Sequence, residues 1–181
     1  MAMPMKRATP GPWCDGFTSG AFDSASSFTL AAYNSTGPNS NMTGAPLVLG
    51  TAGTTKNAQF WHFITEASWP NDISYPTVSL VNGTLIPNGA DGAKPAQAAS
   101  VDSGNSLEFF SSATANPDAG AQIYCGVRAA AGFSLLAVNG DTGSFSLCQA
   151  TNQNVVFYKA APNMGYDYDS CYPVVLQMLP Q

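Results

Sequence analysis

Apolar and polar residues alternate along this chain in short runs, and the runs are separated by turn-forming residues. Phe28-Thr-Leu-Ala-Ala-Tyr33 alternates, Pro46-Leu-Val-Leu49 is a short apolar run, and Gln59-Phe-Trp-His-Phe-Ile-Thr65 is rich in aromatics. Thr77-Val-Ser-Leu-Val81 leads into Asn82-Gly83 and then Thr84-Leu-Ile86. Asn-Gly between two such runs predicts a tight hairpin, because both residues tolerate positive φ. The device recurs at Leu136-Ala-Val-Asn-Gly-Asp141, ahead of Phe145-Ser-Leu-Cys148. Further runs are Ser106–Ser111, Ala121–Cys125, Val155–Tyr158 and Tyr172–Met178. No long window repeats its apolar residues at helical spacing. Residues 88–105, rich in Ala, Gly, Asp and Ser, predict the longest loop. Residues 1–13, with Pro4, Pro10 and Pro12, predict an irregular arm, which leaves 14–181 as a single all-β domain.

About ten to twelve short strands imply a barrel or a sandwich. A faint internal echo selects between them. Phe28-Thr-Leu30, Val78-Ser-Leu80 and Ser134-Leu-Leu136 each open a strand, and Ser79-Leu-Val-Asn-Gly83 matches Leu136-Ala-Val-Asn-Gly140. Aromatic strands follow at Phe60–Phe63, Glu108–Phe110 and Val156–Tyr158. The expectation is a β-trefoil of three lobes, with Leu30, Leu80 and Leu136 in equivalent inward positions. A β-sandwich or jelly roll is the alternative.

Composition narrows the setting. Charged residues make up only 9% of the chain, so its polar surface must come from Ser, Thr, Asn and Gly. That surface suits an extracellular protein. A net charge of −5 offers no basic patch to nucleic acid or to an anionic membrane. No apolar stretch is long enough for a transmembrane helix. The first residues show no signal-peptide core, and secretion is still expected, with the signal already removed; Lys6-Arg7 just before Ala8 looks like a dibasic processing site. Three sequons, at Asn34, Asn41 and Asn82, are candidate N-glycosylation sites. The cysteines are Cys14, Cys125, Cys148 and Cys171, an even number that reads as two disulfides. The expected pairs are Cys125–Cys148 and Cys14–Cys171, with Cys125–Cys171 and Cys14–Cys148 as the rival. No Cys-x-x-Cys spacing occurs, so no metal site is expected, and nothing in the chain calls for a cofactor.

Chemistry-bearing residues are sparse. The sole histidine, His62, reads as a half-buried strand residue; Glu66 shares its face in an extended strand, about 13 Å away. Asp167 and Asp169 are flanked by Tyr166, Tyr168 and Tyr172, an arrangement suited to contacting a sugar. Trp69-Pro-Asn71-Asp72 is a second candidate sugar-binding loop, whose indole could stack on a sugar face. Gln59-Phe-Trp61 satisfies the Q-x-W signature of ricin-type trefoil lectins, although it occurs once and Trp61 also suits a core position. No catalytic residue is assigned.

Several segments carry a family resemblance: Phe28-Thr-Leu-Ala-Ala-Tyr-Asn-Ser-Thr36, Ala45-Pro-Leu-Val-Leu-Gly50, Ala121-Gln-Ile-Tyr-Cys125, Leu136–Thr142 with Phe145-Ser-Leu-Cys148, and Tyr166-Asp-Tyr-Asp-Ser-Cys-Tyr172. They resemble small secreted proteins of mushroom-forming fungi over about residues 14–178. The layout is also similar to the phialide cell-wall protein family of moulds. The resemblance implies a fungal, extracellular, wall-associated protein and carries over no functional positions. The expected function is non-enzymatic: binding a cell-wall glycan or another surface, host immune receptors included. A trefoil lectin with defined sugar pockets and a polysaccharide hydrolase are the alternatives.

Overall fold

The computed structural model describes residues 9–17, 19–70, 74–130 and 132–181. The short alternating runs become strands: β1 (Ala21–Phe22), β2 (Ala25–Asn34), β3 (Ala45–Thr54), β4 (Gln59–Thr65), β5 (Thr77–Val81), β6 (Thr84–Asn88), β7 (Ala96–Ala98), β8 (Glu108–Ser111), β9 (Tyr124–Arg128), β10 (Ser134–Val138), β11 (Phe145–Ala150), β12 (Gln153–Tyr158) and β13 (Asp167–Pro180). The only helical pieces among the described residues are 3-10 turns at Pro12–Cys14, Glu66–Ser68 and Pro117–Ala119. β7 falls inside the predicted long loop; its Ala-Gln-Ala sequence carries no strand signal.

All strand pairings are antiparallel, and six of the strands close into a ring in the order β13–β11–β12–β4–β3–β2–β13. The remaining strands leave the ring at three forks. β2 pairs with β3 through Leu30–Ala32 and with the β5–β6 hairpin through Ala25 and Phe28. β4 turns from β12 to β8, which carries β7. β13 turns from β11 to β10, followed outward by β9 and β1. The forks open alternate seams of the ring.

The protein is therefore all-β, but the trefoil is not confirmed. A trefoil takes two barrel strands from each third of its chain. Here β2–β4 and β11–β13 supply all six, and the middle of the chain supplies none. Leu30, Leu80 and Leu136 are all buried. Their positions differ, however: Leu30 lies on a barrel strand, Leu80 and Leu136 on appended ones.

The two Asn-Gly turns explain part of this divergence. Both adopt the expected left-handed geometry, with φ of 47° and 78° at Asn82-Gly83 and 51° and 77° at Asn139-Gly140. The first closes the β5–β6 hairpin. The second closes only the Val138–Asp141 bridge. Asp141 Oδ1 then accepts hydrogen bonds from the Gly143 and Ser144 amides, and this second turn sends β11 to β12 and β13 instead of back along β10.

One apolar core is continuous from the barrel interior (Leu30, Leu49, Phe63, Phe145, Leu147, Leu176) to the appended strands (Leu80, Leu85, Phe109, Tyr124, Leu136). Val155–Tyr158 is buried on both strand faces because a second cluster covers the outer barrel wall. It joins Ile64, Cys148, Val155 and Phe157 to Trp69 and Tyr166.

The disulfides are Cys14–Cys125 and Cys148–Cys171, so both expected pairings are corrected. Cys125 lies on β9, which pairs with β1 and β10 and never with β11, so Cys148 is out of its reach. The Pro12–Cys14 turn instead presents Cys14 to β9, and Phe17, Ala21 and Ala137 pack around the bridge. Cys148 stands on β11 against its neighbour β13, which carries Cys171. Two disulfides fit an oxidising, extracellular compartment. No helix among the described residues is long and apolar enough to cross a membrane.

Candidate functional site

A groove of about 620 Å³ lies beside the β3–β4 turn. Its shape follows from local chemistry. In β3, Ala52 has no partner between the Thr51–Trp61 and Gly53–Phe60 pairs, and such a bulge bends the strand. Gln59 Nε2 donates to Thr51 Oγ1 at 3.1 Å across the hairpin. The turn itself is tied at both ends, the Thr55 amide donating to the Ala58 carbonyl and the Ala58 amide to Thr55 Oγ1. Lys56 and Asn57 are carried on this fixed backbone.

Aromatic side chains make the wall. Trp61 alternates inward with Gln59 and Phe63; it belongs to the core and lines the groove with its remaining edge. Its Nε1 donates to Ser111 Oγ at 2.9 Å, which fixes the indole, and Tyr75 meets it edge-on with centroids 5.1 Å apart. Tyr75 Oη donates to the Lys94 carbonyl at 2.7 Å and so anchors the opposite rim. Half-buried Trp69 completes the wall. It lies over Gly50, where a Cβ would collide with Ile64 Cδ1 and stand 3.6 Å from Trp69 Cγ. Glycine at this position leaves room for the Ile64 side chain, and the indole would stand at ordinary contact distance from a Cβ there.

The predicted site residues therefore divide. Trp69 lines the groove, while Asn71 and Asp72 lie outside the described residues. Tyr166 packs on the same outer-wall cluster as Trp69, but it is stacked on Phe157 at 3.9 Å and its hydroxyl accepts from the Ala161 amide at 2.8 Å. Asp167 Oδ1 accepts from the Asp169 amide. Tyr168 and Asp169 are exposed on a four-residue excursion of β13, residues 168–171, that stands opposite Cys148 alone. None of residues 166–169 lines the groove. Asn34 and Asn41 each hold an Asx turn in which Oδ1 accepts from the amide and hydroxyl of the sequon threonine, and Asn82 is exposed on its hairpin.

His62 faces outward at the β4 fork, opposite Gly50 on one side and Glu108 on the other. Its Nε2 lies 3.3 Å from Gln153 Oε1. Burial holds the imidazole below its ordinary pKa, and the hydrogen bond to Gln153 only partly offsets this. Burial likewise pushes the Glu108 carboxyl up. Glu66 begins the 3-10 turn after β4, and His62 meets Gln153.

The chain matches no family model, no curated protein and no solved structure. What the groove can do must come from its own lining. That lining offers aromatic edges, hydroxyls, amides and two ammonium groups, the means of recognition by stacking and hydrogen bonding. Sequence reasoning missed Tyr75, Lys56 and Lys94. Gln59-x-Trp61 was the one visible signal at this place, and the Thr-Thr-Lys-Asn turn beside it was a second that could have been used.

Proposed function

We propose that this is an extracellular, non-enzymatic carbohydrate-binding protein whose ligand seats in the groove between the β3–β4 turn and residues 92–94. The observation that carries this reading is the fixed aromatic wall of Trp61, Trp69 and Tyr75 among Thr, Ser, Asn and Gln side chains. Sugars present apolar ring faces and many hydroxyls, and this lining complements both. The two disulfides support an extracellular setting. The resemblance to small secreted fungal proteins supports a cell-wall polysaccharide as the ligand's source. A host immune receptor would then meet the protein through its own glycans.

The test is a glycan array with the parent protein and Trp69→Ala. Parent signal lost in the variant is the expected result. No parent signal, or a signal untouched by the substitution, would overturn the reading. A second contact at the β13 excursion is favoured by Tyr168, which is 43% exposed. Array signal lost in Tyr168→Ala but kept in Trp69→Ala would move the site there.

A further inference from the structure

We infer that the groove selects an acidic carbohydrate, one bearing uronate or similar anionic groups, over a neutral one. This rests on the carbohydrate-binding reading above and adds the charge of the ligand. The chain has six Lys and Arg, of which Lys6 and Arg7 lie outside the described residues. Two of the other four, Lys56 and Lys94, line this one groove. They come from different segments of the chain, the β3–β4 turn and residues 92–94. The hydrogen-bonded Thr55–Ala58 turn sets the backbone at Lys56, and the Tyr75 hydroxyl holds the Lys94 carbonyl. No Asp or Glu occurs among the described lining residues. Glu66 and Asp91, neighbours in sequence to Trp69 and Gly92, are exposed and outside the lining.

The net charge of −5 works against an anion, so range decides the outcome. At physiological ionic strength charges are screened over about 8 Å. Asp91, next to Gly92, and Glu66 oppose an anion from outside the lining, whereas the two ammonium groups belong to residues of the lining itself and act at contact. Both lysines are exposed to water, so each adds modestly. Together they give an expected preference of about three- to tenfold for the anionic ligand.

The experiment compares tetragalacturonate with cellotetraose, a neutral tetrasaccharide, by calorimetry at low and physiological salt. Tighter binding of tetragalacturonate, with the advantage shrinking as salt rises, is expected. Lys56→Gln/Lys94→Gln should bring the two affinities together. Lys159→Gln, which removes a cation outside the groove, should leave their ratio as in the parent. Equal affinities in the parent, or a preference that survives the double substitution, would overturn the charge inference while leaving carbohydrate binding in place. Failure of every oligosaccharide, here and on the array, would overturn both.

Discussion

The barrel is assembled from two three-strand halves that reach closure by different means. In the first, β2, β3 and β4 lie side by side in chain order, and hydrogen bonds alone hold the β3 bulge at Ala52. In the second, β11 sits between β12 and β13, so the chain must return around it, and β13 carries surplus residues opposite Cys148. A disulfide pins that surplus down. Each half places aromatic residues beside its irregularity. The difference lies in what those residues are committed to. Tyr166 spends its ring on Phe157 and its hydroxyl on Ala161, whereas Trp69 packs on the same cluster and still borders open space. An aromatic loop is a candidate site when it lines a cavity, and its mere exposure is a poorer guide.

Four tests break or sharpen this contrast. The largest effect is expected where the halves meet. Ile64 is fully buried and pairs with Val155 across the β4–β12 seam. Ile64→Ala should cost about 4 kcal/mol, since buried Ile-to-Ala changes remove both transfer energy and packing. Urea denaturation measures it, and a loss under about 1 kcal/mol would mean that the outer-wall cluster does not join the halves.

Next comes the staple. Cys148→Ser/Cys171→Ser opens a loop with sequence separation 23, for which chain entropy gives about 3.5 kcal/mol. Stability should fall by that order, and proteolysis should begin within 167–172. Cleavage appearing first at the β3–β4 turn would reverse the assignment of the pinned half.

Tyr166→Ala and Trp69→Ala separate packing from recognition. Tyr166→Ala should lower stability by about 2 kcal/mol through its lost stack and hydrogen bond, with oligosaccharide affinity unchanged. Trp69→Ala should cost less stability and abolish binding. The opposite pattern, read by thermal melts and calorimetry on the same samples, would exchange their roles.

The smallest effect is a pH dependence at the fork. The folded chain holds His62 below its ordinary value of 6.5. Between the folded value and 6.5 the unfolded chain binds more protons, so stability falls as pH drops below 6.5 and is complete above it. His62→Gln should flatten the melting-temperature curve from neutral to mildly acidic pH. An unchanged slope would show that other groups set it.

Local patterns gave most of the strands, and the reason is physical. Alternation at Gln59–Thr65 and Thr77–Val81 reports a strand with unlike faces, and Asn82-Gly83 reports a φ requirement; both are properties of a few adjacent residues. Pairing is a property of distant ones. Leu136–Gly140 shares Val-Asn-Gly with the earlier hairpin motif, yet Asp141 captures the Gly143 and Ser144 amides and diverts the chain. The threefold echo was thus real in sequence without setting the connectivity. The cysteine pairing depended on which strands become neighbours, so it was hidden for the same reason. The groove was legible only at Gln59, Trp61 and Trp69. Lys56 and Lys94 come together only when the β3–β4 turn meets residues 92–94, and nothing local marks that meeting.

Ring closure leaves few places where another chain could dock by extending a sheet. Among the described strands, β1, β6 and β7 are the ones that have a single partner strand. β1 is two residues long, β7 is three and follows Pro95, and β6 contains Pro87, which has no amide hydrogen to offer. Soluble β proteins commonly guard such borders with lysine, and a chain with only 9% charged residues has little to spend that way. Brevity and proline do that work here. The protein should therefore stay dispersed even near its isoelectric point, where mutual repulsion vanishes and a longer free border would invite fibrils.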